Sequence, residues 1–238
     1  MAKTAVIIPA YNEEEYISDV LNSALKWHKK DPRNRSVIVV NDGSKDRTAE
    51  IARKSGATVL RSDGKKISKE GLNGPNMGKA EAVRRGVIHA ASQGCSAIVM
   101  LDADLSPFEP RKIDELVMHL NKPNVDMVVA KIDSEGSYSK FSGQRAIKVS
   151  ALRGFINGVA SWKELAQGYG LEHALNSLVQ KKVDSSLLFE QKRKVRRTDQ
   201  MDREMTRTFG LAIRRRSYAE KLVDSLVRRV NSSIRRRK

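Results

Sequence analysis

A single cysteine, Cys95, serves a chain of 238 residues. Neither an intrachain disulfide framework nor a cysteine-rich zinc site can be built from it, and a reducing compartment is the default. Apolar runs of membrane-spanning length, about 18 residues, are missing as well. The longest, around Val37–Val40 and Ala97–Leu101, are strand-sized. The N-terminus enters a strand-like run directly, without the basic segment, apolar stretch and cleavage site of a secretory leader. These absences predict a cytoplasmic protein that does not span a membrane. Six prolines and 15 glycines are too few for a collagenous or low-complexity chain. Aromatic residues amount to 5%, which offers little stacking surface to single-stranded nucleic acid.

What is present is ordinary for a folded domain: 39% hydrophobic and 31% charged residues, enough for one core and an appendage. The net charge of +17 is the unusual feature. From Lys192 onward there are 17 basic and 5 acidic residues, so most of the excess belongs to a tail. The expected division is a body over 1–190, itself in halves 1–130 and 131–190, and a basic, largely helical extension over 191–238.

The body alternates strand-like and helix-like segments, with no internal repeat. Ala5–Ile8 and Val37–Val40 read as buried strands, the first ending where Pro9 breaks it at a sheet edge. Tyr16, Ile17, Val20, Leu21, Ala24 and Leu25 recur at helical spacing. A short helix over Thr48–Lys54, a strand over Thr58–Leu60, a loop over Arg61–Met77 and a helix from Gly78 to Ser92 follow. Ala97–Leu101 reads as a central strand, Pro110–Leu120 as a helix, and Asp126–Ala130 and Val183–Phe189 as strands. Units of this kind predict an α/β fold with a mostly parallel sheet covered on both faces.

Sheets of this kind bind ligands beyond the carboxyl ends of their strands. Three such ends carry polar clusters: Tyr11-Asn12-Glu13, Asn41-Asp42-Gly43 and Asp102-Ala103-Asp104. The first turn lacks the glycines of a dinucleotide fingerprint, and Gly78-Lys79 lacks the context of a phosphate-binding P-loop. Tyr11 nevertheless offers an aromatic face to a base, and Glu13 and Asp42 offer acceptors to base N–H or ribose hydroxyls. Gly78 permits close backbone approach, and Lys79 places a cation at a helix start. Two carboxylates at one sheet edge, Asp102 and Asp104, invite a hard cation such as Mg²⁺ or Mn²⁺. They cannot fill its coordination shell, so diphosphate and water would supply the rest.

The segments Val6–Glu13, Val39–Thr48, Met77–Ala80 and Leu101–Asp104, in this order, resemble nucleotide-sugar glycosyltransferases of family 2 and their GT-A-fold relatives. The resemblance covers about residues 3–130, and Met100–Ser106 is especially similar to polyprenyl-phosphate sugar synthases. It implies transfer of a sugar from a UDP- or GDP-sugar. Pro9, Tyr11, Glu13 and Asp42 would line the base and ribose pocket. Asp102 would lie at the ribose or the metal-bound diphosphate, and Asp104 would be the firmest metal ligand.

In the second half, Ser142–Ala146 and Gly168–Glu172 are similar to acceptor-side motifs of glucosyl-3-phosphoglycerate synthases. Arg145 could pair with phosphate or carboxylate, or be a surface arginine opening a helix. Glu172 falls in the first turn of an apolar-periodic helix and is the candidate base for an acceptor hydroxyl. Family 2 enzymes commonly have a Glu-Asp pair there; this chain has Glu172-His173, and His173 could instead complete a metal site. In the tail, Tyr218, Leu222, Val223, Leu226, Val227, Val230 and Ile234 lie at helical spacing among cations. That stripe suits an anionic membrane surface, the body, or another subunit in an oligomer.

Two acceptor classes follow: a polyprenyl phosphate or other membrane-proximal acceptor, or a small soluble anion. A sugar nucleotidyltransferase is the nearest rival enzyme, but it needs a basic Gly-rich loop where this chain has Asn12-Glu13-Glu14-Glu15. A nucleic-acid-binding protein would explain the tail and leave the acidic rim unused.

Overall fold

The computed structural model describes residues 3–63, 76–132, 142–156, 170–179 and 181–192. All of them fall in the first of two units, Met1–Arg193 and Lys194–Lys238. The expected tail helix and most of the Arg61–Met77 loop lie outside the described residues.

Among the described residues seven strands form one sheet: β1 Thr4–Ala10, β2 Arg35–Asn41, β3 Thr58–Arg61, β4 Ala97–Met100, β5 Met127–Ile132, β6 Arg145–Lys148 and β7 Lys182–Phe189. Their order is β3-β2-β1-β4-β6-β5-β7. The helices are α1 Ile17–Lys29, α2 Thr48–Lys54, α3 Lys79–Ser92, α4 Arg111–Leu120, α5 Arg153–Ile156 and α6 Gly170–Leu178. The sheet is mostly parallel, as the alternating pattern predicts. Only β6 runs against both of its neighbours.

Two-sided burial explains the unbroken apolar runs. Val6, Ile8, Val37, Val39, Val99 and Leu101 face a layer containing α1 and α4, where Trp27, Leu116 and Leu120 close the core. Ala5, Ile7, Ile38, Val40, Ile98 and Met100 face the other layer, with Val83 and Val87 of α3 and Leu171 and Leu175 of α6. Successive strand side chains point to opposite faces, so both faces must be apolar.

Two expectations are corrected. The first strand does not stop at Pro9 but continues to Ala10, paired with Asn41. The Ile7 carbonyl accepts from Leu101 N–H, so Pro9, two residues on, turns the same edge past the end of β4. Its missing N–H costs no ladder bond there. Arg145 does not open a helix: it begins β6, paired with Met100 on one side and Val129 on the other. A 3₁₀ turn over Val149–Leu152 and α5 follow.

Candidate active site at the carboxyl rim

Because β1, β2 and β4 are parallel, their three polar exits share one rim. The first two exits are tied together. Asp42 N–H donates to Ala10 O at 2.9 Å, Asn12 N–H to Ser44 Oγ at 3.0 Å, and Glu13 N–H to Thr48 Oγ1 at 2.8 Å. Asn12 takes a positive φ of 55°, a conformation asparagine tolerates. Tyr11 beside it is 43% exposed, an aromatic face at the rim. The buried Asp42 accepts from Met77 N–H through Oδ1 at 2.7 Å, which anchors the approach to α3. Gly78 follows at φ 88°, a region a side chain would rarely enter.

The sharpest cluster joins three elements. Lys79, the first residue of α3, places Nζ 2.8 Å from Asp102 Oδ1 and 2.9 Å from Glu172 Oε1. Glu172 lies in the first turn of α6, as its apolar period predicts. Its carboxylate is buried, and among the described residues Oε2 has no hydrogen-bond partner. A buried carboxylate oxygen left so is costly unless a ligand donor meets it.

Electrostatics follow from this placement. Burial opposes the charge of Lys79, but the Asp102 and Glu172 carboxylates outweigh it and raise its pKa. Burial likewise opposes ionisation of Asp102. The Lys79 charge, hydrogen bonds from Lys79 and Gln144, and the Arg145 charge outweigh it and hold the carboxyl below its ordinary range. Arg145 is fully buried, and desolvation pushes its pKa down to about 10. Its Nε donates to Ser142 O at 2.6 Å and Nη1 to Asn176 Oδ1 at 2.7 Å. The guanidinium expected at a ligand phosphate thus has protein partners, one just ahead of β6 and one on α6.

Asp104 stands apart from Lys79, where the end of β7 returns. Lys192 N–H donates to Asp104 O at 2.8 Å and Ser106 N–H to Glu190 O at 2.7 Å. Gln191 Nε2 lies 3.5 Å from Asp104 Oδ1. Gln191 and Asn176 carried no signal in the sequence, because neither follows a motif or a period. The His173 side chain lies outside the described residues.

Asp102 and Asp104 suit Mg²⁺ or Mn²⁺ in donor chemistry, both being hard oxygen ligands. Among the described residues no group of three His, Cys, Asp or Glu side chains could hold a metal. Both Asp102 oxygens already accept hydrogen bonds. The residues therefore fit an ion that takes most of its ligands from a diphosphate and water.

A mostly parallel α/β sheet with an Asp-x-Asp beyond its central strand and acidic residues along its carboxyl rim defines a GT-A-like protein. The chain belongs to glycosyl transferase family 2, whose model matches residues 5–223. It is 31% identical over 163 residues to dolichyl-phosphate beta-glucosyltransferase ALG5C of Trichomonas vaginalis, covering 64% of this chain and 43% of that protein. It is 36% identical over 112 residues to 4,4'-diaponeurosporenoate glycosyltransferase of Staphylococcus aureus, covering 47% of this chain and 26% of that protein. The chain thus spans less than half the length of these curated relatives. Among solved structures, glucosyl-3-phosphoglycerate synthase of M. tuberculosis matches with a TM-score of 0.63 and 22% identity, covering 87% of this chain and 79% of that chain. The same Mycobacterium tuberculosis enzyme in complex with Mn²⁺, UDP-glucose and phosphoglyceric acid gives a TM-score of 0.59 at 21% identity, covering 81% of this chain and 72% of that chain. At such identities the likeness is one of fold.

Proposed function

We propose that the protein transfers a sugar from a UDP- or GDP-sugar to a polyprenyl phosphate or another acceptor at the cytoplasmic face of a membrane. The observation that carries the transfer reading is the junction of Lys79, Asp102 and Glu172 at the carboxyl rim of a family 2 fold. It sets a cation and two carboxylates where a nucleoside diphosphate leaves a sugar. Pro9, Tyr11, Glu13 and Asp42 receive the base and ribose. Gly78 and Lys79 face the diphosphate, where the ammonium offsets charge that collects on the departing group. Asp104, with Asp102 beside it, would hold Mg²⁺ or Mn²⁺, which when bound supplies Lewis-acid stabilisation to the same leaving group.

Glu172 Oε2 is the atom that meets a ligand hydroxyl. With a hydroxyl acceptor it takes the proton that attack releases. With a phosphate acceptor the nucleophile is already anionic, and Glu172 holds and orients. The lipid reading draws on the relative named as a dolichyl-phosphate glucosyltransferase and on the cationic, apolar-striped tail. Among the described residues no helix is long and apolar enough to cross a membrane.

Radiolabelled UDP- and GDP-sugars, offered separately to a total lipid extract and to a pool of soluble metabolites, test this reading. Label in an organic-extractable product is expected. Truncation before Ser217 is expected to reduce sedimentation with anionic liposomes, and high salt to weaken it. Label only in an aqueous anionic product, without liposome binding, overturns the lipid acceptor in favour of a small one. No labelled product in either pool overturns transfer.

A further inference from the structure

Asp102 is gripped from two directions. Lys79 takes Oδ1 at 2.8 Å, and Gln144 Nε2 donates to Oδ2 at 2.9 Å. The Gln144 amide has only one workable orientation. Its backbone N–H donates to Ser142 Oγ at 3.2 Å, which leaves the Ser142 hydroxyl proton to donate to Gln144 Oε1 at 2.9 Å. With the amide oxygen occupied, the amide nitrogen must face the carboxylate. Ser142 and Gln144 are fully buried, so water does not compete for these bonds.

Gly143 completes the cradle. A Cβ at this position would lie 2.4 Å from Asp102 Oδ2 and 2.5 Å from Oδ1. The entry to β6 is pressed against the carboxylate with room for a hydrogen and nothing larger. One contact from Lys79 would leave the carboxylate able to turn about its Cβ–Cγ bond. A second contact on the other oxygen fixes its plane.

We propose that Gln144, oriented by Ser142, is a positioning residue that sets the Asp102 carboxylate for nucleotide binding; this rests on the transfer reading above. Gln144 acts through Asp102 and does not touch the nucleotide. The residue type matters. A glutamate would put a second carboxylate against Asp102, an asparagine is one methylene shorter, and an apolar side chain leaves Oδ2 buried without a donor. The backbone bond from Ala130 N–H to Gln144 O at 2.9 Å survives any such change, so the sheet register is preserved.

The test is a double-mutant cycle read by calorimetry with UDP and, separately, with GDP, each with Mn²⁺, alongside thermal melting. Gln144→Met has nearly the same volume and is expected to weaken nucleotide binding about 10- to 100-fold, the usual scale for partners that orient a ligating group. In an Asp102→Asn background the same change is expected to cost nothing further, because two residues acting as one unit do not add. A merely structural Gln144 would lower the melting temperature and leave affinity unmoved. Should Gln144→Met not fold, Gly143→Ala, whose new Cβ meets Asp102, is expected to show the same loss and the same non-additivity. Binding equal to wild type in the variant, or losses that simply add, overturns the role while the transfer reading stands. A wild type that binds neither nucleotide overturns both, and does so before any variant is compared.

Discussion

Lys79 and Glu172 stand 93 positions apart in the chain, yet their side chains meet at 2.9 Å. The contact joins the first turn of α3 to the first turn of α6, and Asp102 completes it from just beyond β4. Removing the cation strands two carboxylates. Lys79→Met is therefore expected to destabilise the fold and to abolish nucleotide binding. Breaking a buried pair costs about 3–5 kcal/mol, but the Lys79 side chain is 36% exposed, and solvent screening brings the expectation to about 1–3 kcal/mol. Urea unfolding measures it; a variant as stable as wild type would show that the Asp102 and Glu172 carboxylates do not depend on the Lys79 charge, one of them taking up a proton instead.

Acidification should expose the same cluster. Burial pushes the Asp102 carboxyl up, but the Lys79 charge and the hydrogen bonds from Lys79 and Gln144 outweigh it and hold the group below the ordinary carboxyl range. A depressed carboxyl contributes stability that is present above the unfolded value and lost as pH falls through the folded one. Unfolding midpoints taken from about pH 6 to about pH 3 should fall for wild type and fall less steeply for Asp102→Asn. Parallel curves would remove Asp102 from the acid response.

Asp104 lies at the rim, not in the core, so Asp104→Asn is expected to remove most metal-supported turnover with the fold intact. Circular dichroism and calorimetry with donor, with and without Mn²⁺, check this. Equal donor affinity and turnover in mutant and wild type would end its proposed metal role.

Asp42→Ala is expected to weaken free UDP or GDP by about 1.5–3 kcal/mol, the scale of a charge-assisted hydrogen bond. Asp42 also anchors Met77, so the loss should extend to both nucleotides alike. Unaltered binding would reduce the residue to a loop anchor.

Glu172→Gln is expected to leave donor binding nearly intact and, with a hydroxyl acceptor, to slow transfer about 100- to 10,000-fold. With a phosphate acceptor the loss should be smaller, because no proton need leave. An NMR assignment of the product anomer separates the two displacement courses: retention of the donor's configuration excludes a simple inverting base even where Glu172 matters.

Much of this arrangement was legible in the sequence for identifiable reasons. Val37–Val40 and Ala97–Leu101 are too continuously apolar for anything but strands buried on both faces, and polar residues at their exits marked the rim. Glu172 was placed on its helix by the period of Leu171, Ala174, Leu175 and Leu178. The strand β6 was not legible: Arg145-Ala146-Ile147-Lys148 is short, carries a charge at each end and has no period. Its first residue is an arginine at zero exposure, held in part by a partner on α6, Asn176, that lies 31 positions away. The ties of Lys79 to Glu172 and of Gln191 to Asp104 span distances along the chain over which local spacing carries no information.

The reversed direction of β6 has a consequence for how such a protein can diversify. In a wholly parallel sheet the rim receives strand exits alone, and each connection must cross the body before returning. Here the chain leaves β5 at Ile132 and re-enters β6 at Arg145 on the same side, so the connection returns to the rim it left and ends at Gln144, against Asp102. Ahead of Ser142 its length and chemistry can change over generations without disturbing a register pair, whereas Ser142, Gly143 and Gln144 are bound to the Asp102 carboxylate. Variation can therefore gather in one stretch of the rim while Asp102 and the sheet that holds it stay as they are.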